Sequence, residues 1–152
     1  MRKPDVYIGG EENPYLLRWW LIPRNRFFNI YLHKFIRDDD DRALHDHPWW
    51  SVSFLLKGIL REIHWTKSGY ANGCWFYTAS KTAVRYVHRF LHCRIRSANF
   101  THRLELVTHE AWTLVFTGPK VREWGFHCPQ GWKHWTLFTD KSGAAIGKGC
   151  AE

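Results

Sequence analysis

The chain has 152 residues, 45% hydrophobic and 17% aromatic, with Lys+Arg 22 against Asp+Glu 14 for a formal charge of +8. That length suits one domain around one core, and the aromatic content excludes a disordered chain. The basic residues are scattered rather than grouped in runs, so nucleic acid is not the expected partner and the balance reads as a basic surface.

Residues 1–14 are polar and turn-rich and read as an N-terminal arm. Residues 15–139 follow as one domain of short apolar runs rich in aromatic and β-branched residues. The runs are Leu16 to Ile22, Phe27 to Ile36, Trp49 to Leu56, Ile59 to Trp65, Cys74 to Tyr77 and Ala83 to Val87, then Leu104 to Val107, Trp112 to Phe116, Val121 to Phe126 and Trp132 to Phe138. Turn signals separate them: Pro23-Arg24-Asn25, Lys57-Gly58, Ser68-Gly69, Asn72-Gly73, Thr117-Gly118-Pro119 and Pro129-Gln130-Gly131. The Asp38 to Asp41 run reads as a solvated turn rather than a helix start, because like charges repel along a helix face. Many short strands at close spacing predict an all-β sandwich or barrel. Residues 140–152, DKSGAAIGKGCAE, read as a flexible C-terminal tail. No apolar stretch follows Arg2 and Lys3, and none approaches the ~20 residues needed to span a bilayer. With no membrane partner, the expected setting is the cytoplasm, with Cys74, Cys93, Cys128 and Cys150 as free thiols.

The chemistry is concentrated at His45-Asp46-His47. In an extended strand, residues i and i+2 share a face, so two imidazoles so placed can converge on one cation at ~2.0–2.2 Å. Asp46 then points to the other face, where it can orient a neighbour. Ten histidines in the chain give roughly 0.65 such pairs by chance, so the pair alone is not diagnostic. Its context adds weight: a strand-like run, Trp49 to Leu56, follows, and Gly58 stands where that strand should turn.

Residues 45–58, HDHPWWSVSFLLKG, resemble the first cupin motif, in which His-x-His is followed by a glutamate and then a glycine at set spacings. Ser51 occupies the glutamate position. His102, within RSANFTHRLEL, matches the histidine of the second motif, although the Pro-x-Gly that precedes it in the family is missing. The segments YLLRWW, IYLHKF, LHDHPW, HRLEL and TLVFTGPKVREWGF are similar to those of small cupin proteins in bacterial and phage genomes. The resemblance implies a single cupin-type antiparallel β-barrel (jelly roll) with an N-terminal strand or arm. It also implies one divalent transition metal (Fe, Zn, Ni or Mn) on His45, His47 and His102. A shell without the carboxylate leaves positions open for substrate. The expected function is a metal-dependent enzyme of the dioxygenase or isomerase type acting on a small molecule. The alternative is a non-catalytic ligand- or partner-binding module with a structural or vestigial metal. Cupins commonly dimerise, so a homodimer is expected.

Ser51, Trp112 and Trp124 are the candidate substrate-binding residues, with Trp49, Trp50, Trp132 and Trp135 filling the barrel or lining its pocket. Glu62 and His64 share a strand face and are candidates to complete the metal shell. His33 reads as a packed histidine, and His88 and His92 as surface residues of the basic stretch Arg85 to Arg96. His109, His127 and His134 fall near turns. Arg103 and Arg122 can pair with a substrate carboxylate, with surface placement favoured for Arg103. No Gly-x-Ser-x-Gly, P-loop or Gly-x-Gly-x-x-Gly offers a competing catalytic set.

Overall fold

Along Asn29–Phe35 the sequence NIYLHKF buries every second residue, the period of a strand with one face turned inward. The computed structural model, which describes residues 2–39, 43–64, 70–71, 74–75 and 84–151, has fourteen strands among them. They are β1 (Val6–Ile8), β2 (Leu16–Trp20), β3 (Asn29–Phe35), β4 (Leu44–His45), β5 (Ser51–Lys57), β6 (Leu60–His64) and β7 (Tyr70–Ala71). There follow β8 (Cys74–Trp75), β9 (Val84–His88), β10 (Cys93–Arg96), β11 (His102–Leu106), β12 (Ala111–Thr117), β13 (Gly125–Cys128) and β14 (Gly131–His134). The single helical turn among the described residues, α1, is Trp135–Phe138. The Ser68-Gly69 and Asn72-Gly73 turn signals, and Asp40 and Asp41 of the acidic run, lie outside the described residues.

Two six-stranded antiparallel sheets carry the fold, in the orders β1-β2-β3-β12-β5-β10 and β14-β13-β4-β11-β6-β9. Strands distant in sequence are neighbours in both sheets, which is the wiring of a jelly roll. Inward side chains of both sheets meet around one interior space. Leu16, Phe35, Leu55, Leu60 and Ala111 close part of it as a buried apolar cluster. Each leucine and phenylalanine of the cluster contributes ~1.5–3 kcal/mol by leaving water.

The turn between β5 and β6 depends on Gly58, which has φ +84. A Cβ there would stand 2.2 Å from the Glu110 carbonyl oxygen, so both the conformation and the space require glycine.

Four sequence expectations change. Cys93–Arg96, read as basic surface, forms the edge strand β10 against β5. The Trp132 to Phe138 run divides into β14 and α1. The expectation of four free thiols fails at Cys128 and Cys150, whose sulfurs lie 2.08 Å apart as a disulfide, whereas Cys93 is a free, exposed thiol. The pairing arises because residues 140–151, read from composition as a loose tail, fold back onto the barrel. Thr139 bridges Ile146, and Lys133 Nζ donates to the carbonyls of Gly149 and Ala151. Cys128 and Cys150 join a second apolar cluster with Ala43, Phe126 and Phe138. Among the described residues, no helix is long and apolar enough to cross a membrane.

Candidate metal centre and its cavity

Three strand registers assemble the histidines. His102 opens β11, where it pairs with His45 of β4 on one side and with His64 of β6 on the other. β4 ends at His45, so His47 lies just beyond it rather than in the same strand. The extended path continues all the same: Asp46 N–H donates to the Gly125 carbonyl at 3.1 Å and His47 N–H to that of Ala98 at 3.1 Å. The two imidazoles therefore still project to one side. The rings of His45, His47 and His102 form a near-equilateral triangle, with centroids 5.1, 5.2 and 5.1 Å apart.

One nitrogen from each ring lies within 4.8 Å of the other two, an arrangement that could hold a metal ion. Two nitrogens each ~2.1 Å from one ion, at roughly 90–109°, stand ~3.0–3.4 Å apart. The Nε2 atoms of His47 and His102 are 2.8 Å apart, slightly inside that spacing.

Glu62 stands behind His102. Its side chain is fully buried, and its Oε1 lies 2.6 Å from His102 Nδ1. The carboxylate accepts, so Nδ1 carries the proton and Nε2 keeps its lone pair toward the other histidines. Glu62 also accepts from Arg96 Nε at 2.6 Å and Arg94 Nε at 3.1 Å. Arg96 in turn donates to Ser53 Oγ at 2.7 Å. Glu62 is thus an orienting partner with its oxygens occupied, not the missing ligand that its position in the sequence suggested. His64 stands outside the cluster, against the Phe100 ring at 5.2 Å.

Electrostatics favour the neutral, ligand-competent imidazole. Burial pushes the His102 pKa down to about 3, against the opposing hydrogen bond that Nδ1–H donates to Glu62. Burial likewise holds His47 well below the usual imidazole value, aided by His102, His45, Arg96 and Arg18.

Asp46 is 2% exposed and accepts four donors on the far side of its strand. They are Gly125 N–H at 2.8 Å, Arg122 Nη1 at 3.0 Å, Trp132 Nε1 at 3.1 Å and His127 Nε2 at 3.2 Å. The loop that carries the histidines is pinned to β13 and β14 by this cluster. Arg122 is consequently committed to Asp46, and Arg103 pairs with Glu105 at 2.9 Å.

The triangle opens onto a cavity of about 360 Å³, the size of small-ligand sites. Ser51 and Trp124 line it, and so does Trp49. Trp112 does not: within β12 the inward residues are Thr113, Val115 and Thr117, so Trp112 faces outward and stacks on Trp19 at 5.6 Å. Trp50 and Trp132 are 46% and 44% exposed. His33 is packed, as read, but on the cavity wall; His92 lies at the cavity's exposed rim and His109 in an exposed turn. The side chain of His88 lies outside the described residues.

Sequence reasoning missed Arg18, which projects into the cavity from β2 with its Nε donating to His33 Nε2 at 2.8 Å. The available signal was parity: Leu16 and Arg18 share one face of a strand whose Leu16 is core.

No family model matches the sequence, and no curated protein does. The fold matches solved structures. Fe(II) HppE superposes with a TM-score of 0.53 at 14% identity, over 77% of this chain and 59% of that one. A double-stranded β-helix protein from Klebsiella pneumoniae subsp. pneumoniae gives 0.54 at 9% identity, over 75% and 80%. A chain of the DMSP lyases RdDddP and RnDddQII gives 0.51 at 12%, over 72% and 51%. The chain therefore spans only 51–59% of the length of these two enzymes. The architecture is that of the cupins, a double-stranded β-helix jelly roll.

Proposed function

We propose that the protein is a metal-dependent cupin enzyme acting on a small molecule. The observation that carries this reading is the convergence of His45, His47 and His102 at the wall of a cavity, with Glu62 fixing the tautomer of His102. A divalent metal bound there would supply Lewis acidity and open positions for substrate. The chain's own residues do the rest: Glu62 and the Asp46 cluster hold the ligands in place. Dioxygenase and isomerase chemistry both fit a neutral three-histidine shell, and Fe(II) is bound by the structurally similar HppE. A purely structural metal calls for a closed four-ligand shell, whereas the described residues group three ligands facing a cavity.

Purified protein should retain close to one transition metal per chain after reconstitution with Fe(II), Zn, Ni or Mn in turn. His47→Ala should abolish retention without unfolding the barrel. A wild-type protein that holds none of the four metals would remove the proposal.

A further inference from the structure

The cavity's polar groups are nearly all paired within the protein. Arg96 is neutralised by Glu62, and Asp39 lies 4.0 Å from His45. Among the charged groups, Arg18 is the exception. Its Nε is held by His33 and its guanidinium carbon stands 4.8 Å above the Tyr31 ring. No carboxylate pairs with it among the described residues.

A guanidinium in such a place is unusual, because a charge taken from water needs a counter-charge. Burial lowers the Arg18 pKa, and the offsetting influences come first from Tyr31 and Tyr15, not from an acid. His33 cannot supply the charge. Burial and Arg18 both hold it well below the usual imidazole value, so it is a neutral acceptor. With Nε tied to His33, the two terminal nitrogens remain, set as a fork with the geometry of a carboxylate.

The cross-strand registers place this fork. Arg18 faces His33, which faces Thr113, so the three form one row across β2, β3 and β12. All three line the cavity. Four residues along β12 from Thr113, on the same face, Thr117 presents a buried hydroxyl oxygen with no hydrogen-bond partner. The sheet that faces the histidine triangle thus carries one uncompensated cation and a spare hydroxyl, and Arg18's charge is felt at His47.

From this juxtaposition we infer that the cavity binds a small organic acid, its carboxylate paired with Arg18 and its remainder directed toward the histidine centre. The inference deepens the enzyme reading and rests on it for the second half only. The Arg18 site itself does not depend on a metal.

The test uses benzoate and its neutral isostere benzamide on metal-free and zinc-loaded protein, followed by calorimetry and thermal shift. Metal-free wild type should bind benzoate at millimolar concentration or below and should not bind benzamide. Arg18→Met should weaken benzoate by about tenfold to a hundredfold, the value of a charge-assisted bidentate pair. Arg18→Lys should recover part of the loss. Arg18→Met should still bind zinc and should keep a cooperative urea transition, which shows that the barrel is intact. Equal affinity for benzamide, undiminished benzoate binding by Arg18→Met, or no benzoate binding by wild type would each overturn the inference. Zinc binding without benzoate binding would leave the metal proposal standing and remove this one. The reverse pattern would do the opposite.

Discussion

Glu62→Gln is the most informative single change, because it alters charge at nearly constant volume. Glu62 is 0% exposed and accepts from His102, Arg96 and Arg94 at 2.6, 2.6 and 3.1 Å. The amide retains one acceptor oxygen and turns an NH₂ toward one of these donors. Two guanidiniums lose their counter-charge, and Arg96, 7% exposed, has little access to water. Breaking a buried ion pair in this way costs about 3–5 kcal/mol. Typical domains hold ~5–15 kcal/mol, so the variant should still fold. The second effect is on the ligand. Without the carboxylate, His102 no longer has Nδ1–H fixed, and the tautomer with Nε2 blocked becomes accessible. Loss of such an orienting partner lowers metal affinity about 10- to 100-fold. Urea unfolding of metal-free protein reads the first effect, and zinc competition with a chelator reads the second. Arg94→Gln is the control: it removes one partner of Glu62 and leaves the His102 contact in place, so its zinc affinity should match wild type. Glu62→Gln with wild-type zinc affinity would refute the orienting role. A loss shared equally by Arg94→Gln would show that general destabilisation, not tautomer control, is at work.

Three further outcomes follow from the same geometry. His33, buried and neutral, has its folded pKa well below the ordinary 6.5, so the unfolded chain binds more protons and stability falls as pH drops below about 6.5. Metal-free wild type should lose up to ~1.4 kcal/mol per pH unit more than His33→Gln in that window, and parallel urea-midpoint profiles would contradict this. The Cys128–Cys150 disulfide closes a separation of 22 residues, for which the chain-entropy estimate is about 3 kcal/mol. Cys128→Ser/Cys150→Ser should unfold at correspondingly lower urea, with a midpoint insensitive to reductant. A wild-type midpoint equally insensitive would show that the bond does not form. Gly58→Ala forces a Cβ to 2.2 Å from the Glu110 carbonyl at φ +84, and should cost more than ~1 kcal/mol in the same assay.

The sequence carries strands and ligands unequally. Period-two burial along NIYLHKF and the glycine after SVSFLLK are local signals, so β3, β5 and the turn at Gly58 were legible. The segment CRIR was not, because Arg94 and Arg96 read as surface charge. Their partner Glu62 lies more than thirty residues away and meets them only across the interior. Trp112 fails for a different reason: the outward face of β12, Trp112, Leu114 and Phe116, is more apolar than the cavity face, Thr113, Val115 and Thr117, and Trp19 covers part of it. Cys128 and Cys150 come together only because the last dozen residues turn back over Phe126 and Phe138. Spacing cannot register such a return.

Charge gives Ser51 a second meaning. Three neutral imidazoles leave a divalent ion its full +2, where a glutamate at position 51 would have halved it. Of the nearby carboxylates, Asp39 lies on the cavity wall 4.0 Å from His45 Nδ1 and offsets part of that charge; the other two do not. Glu62 is outnumbered by Arg94 and Arg96, and Asp46 faces away toward Arg122. Arg18 adds one more positive charge on the facing sheet. In an apolar cavity such a field is poorly screened and draws anions inward. A neutral substrate would leave this imbalance buried; a carboxylate removes it. Ser51 and Arg18 therefore act in one direction: the first withholds a negative charge from the histidine centre, the second places a positive one in the same cavity, and a bound organic acid supplies what both lack.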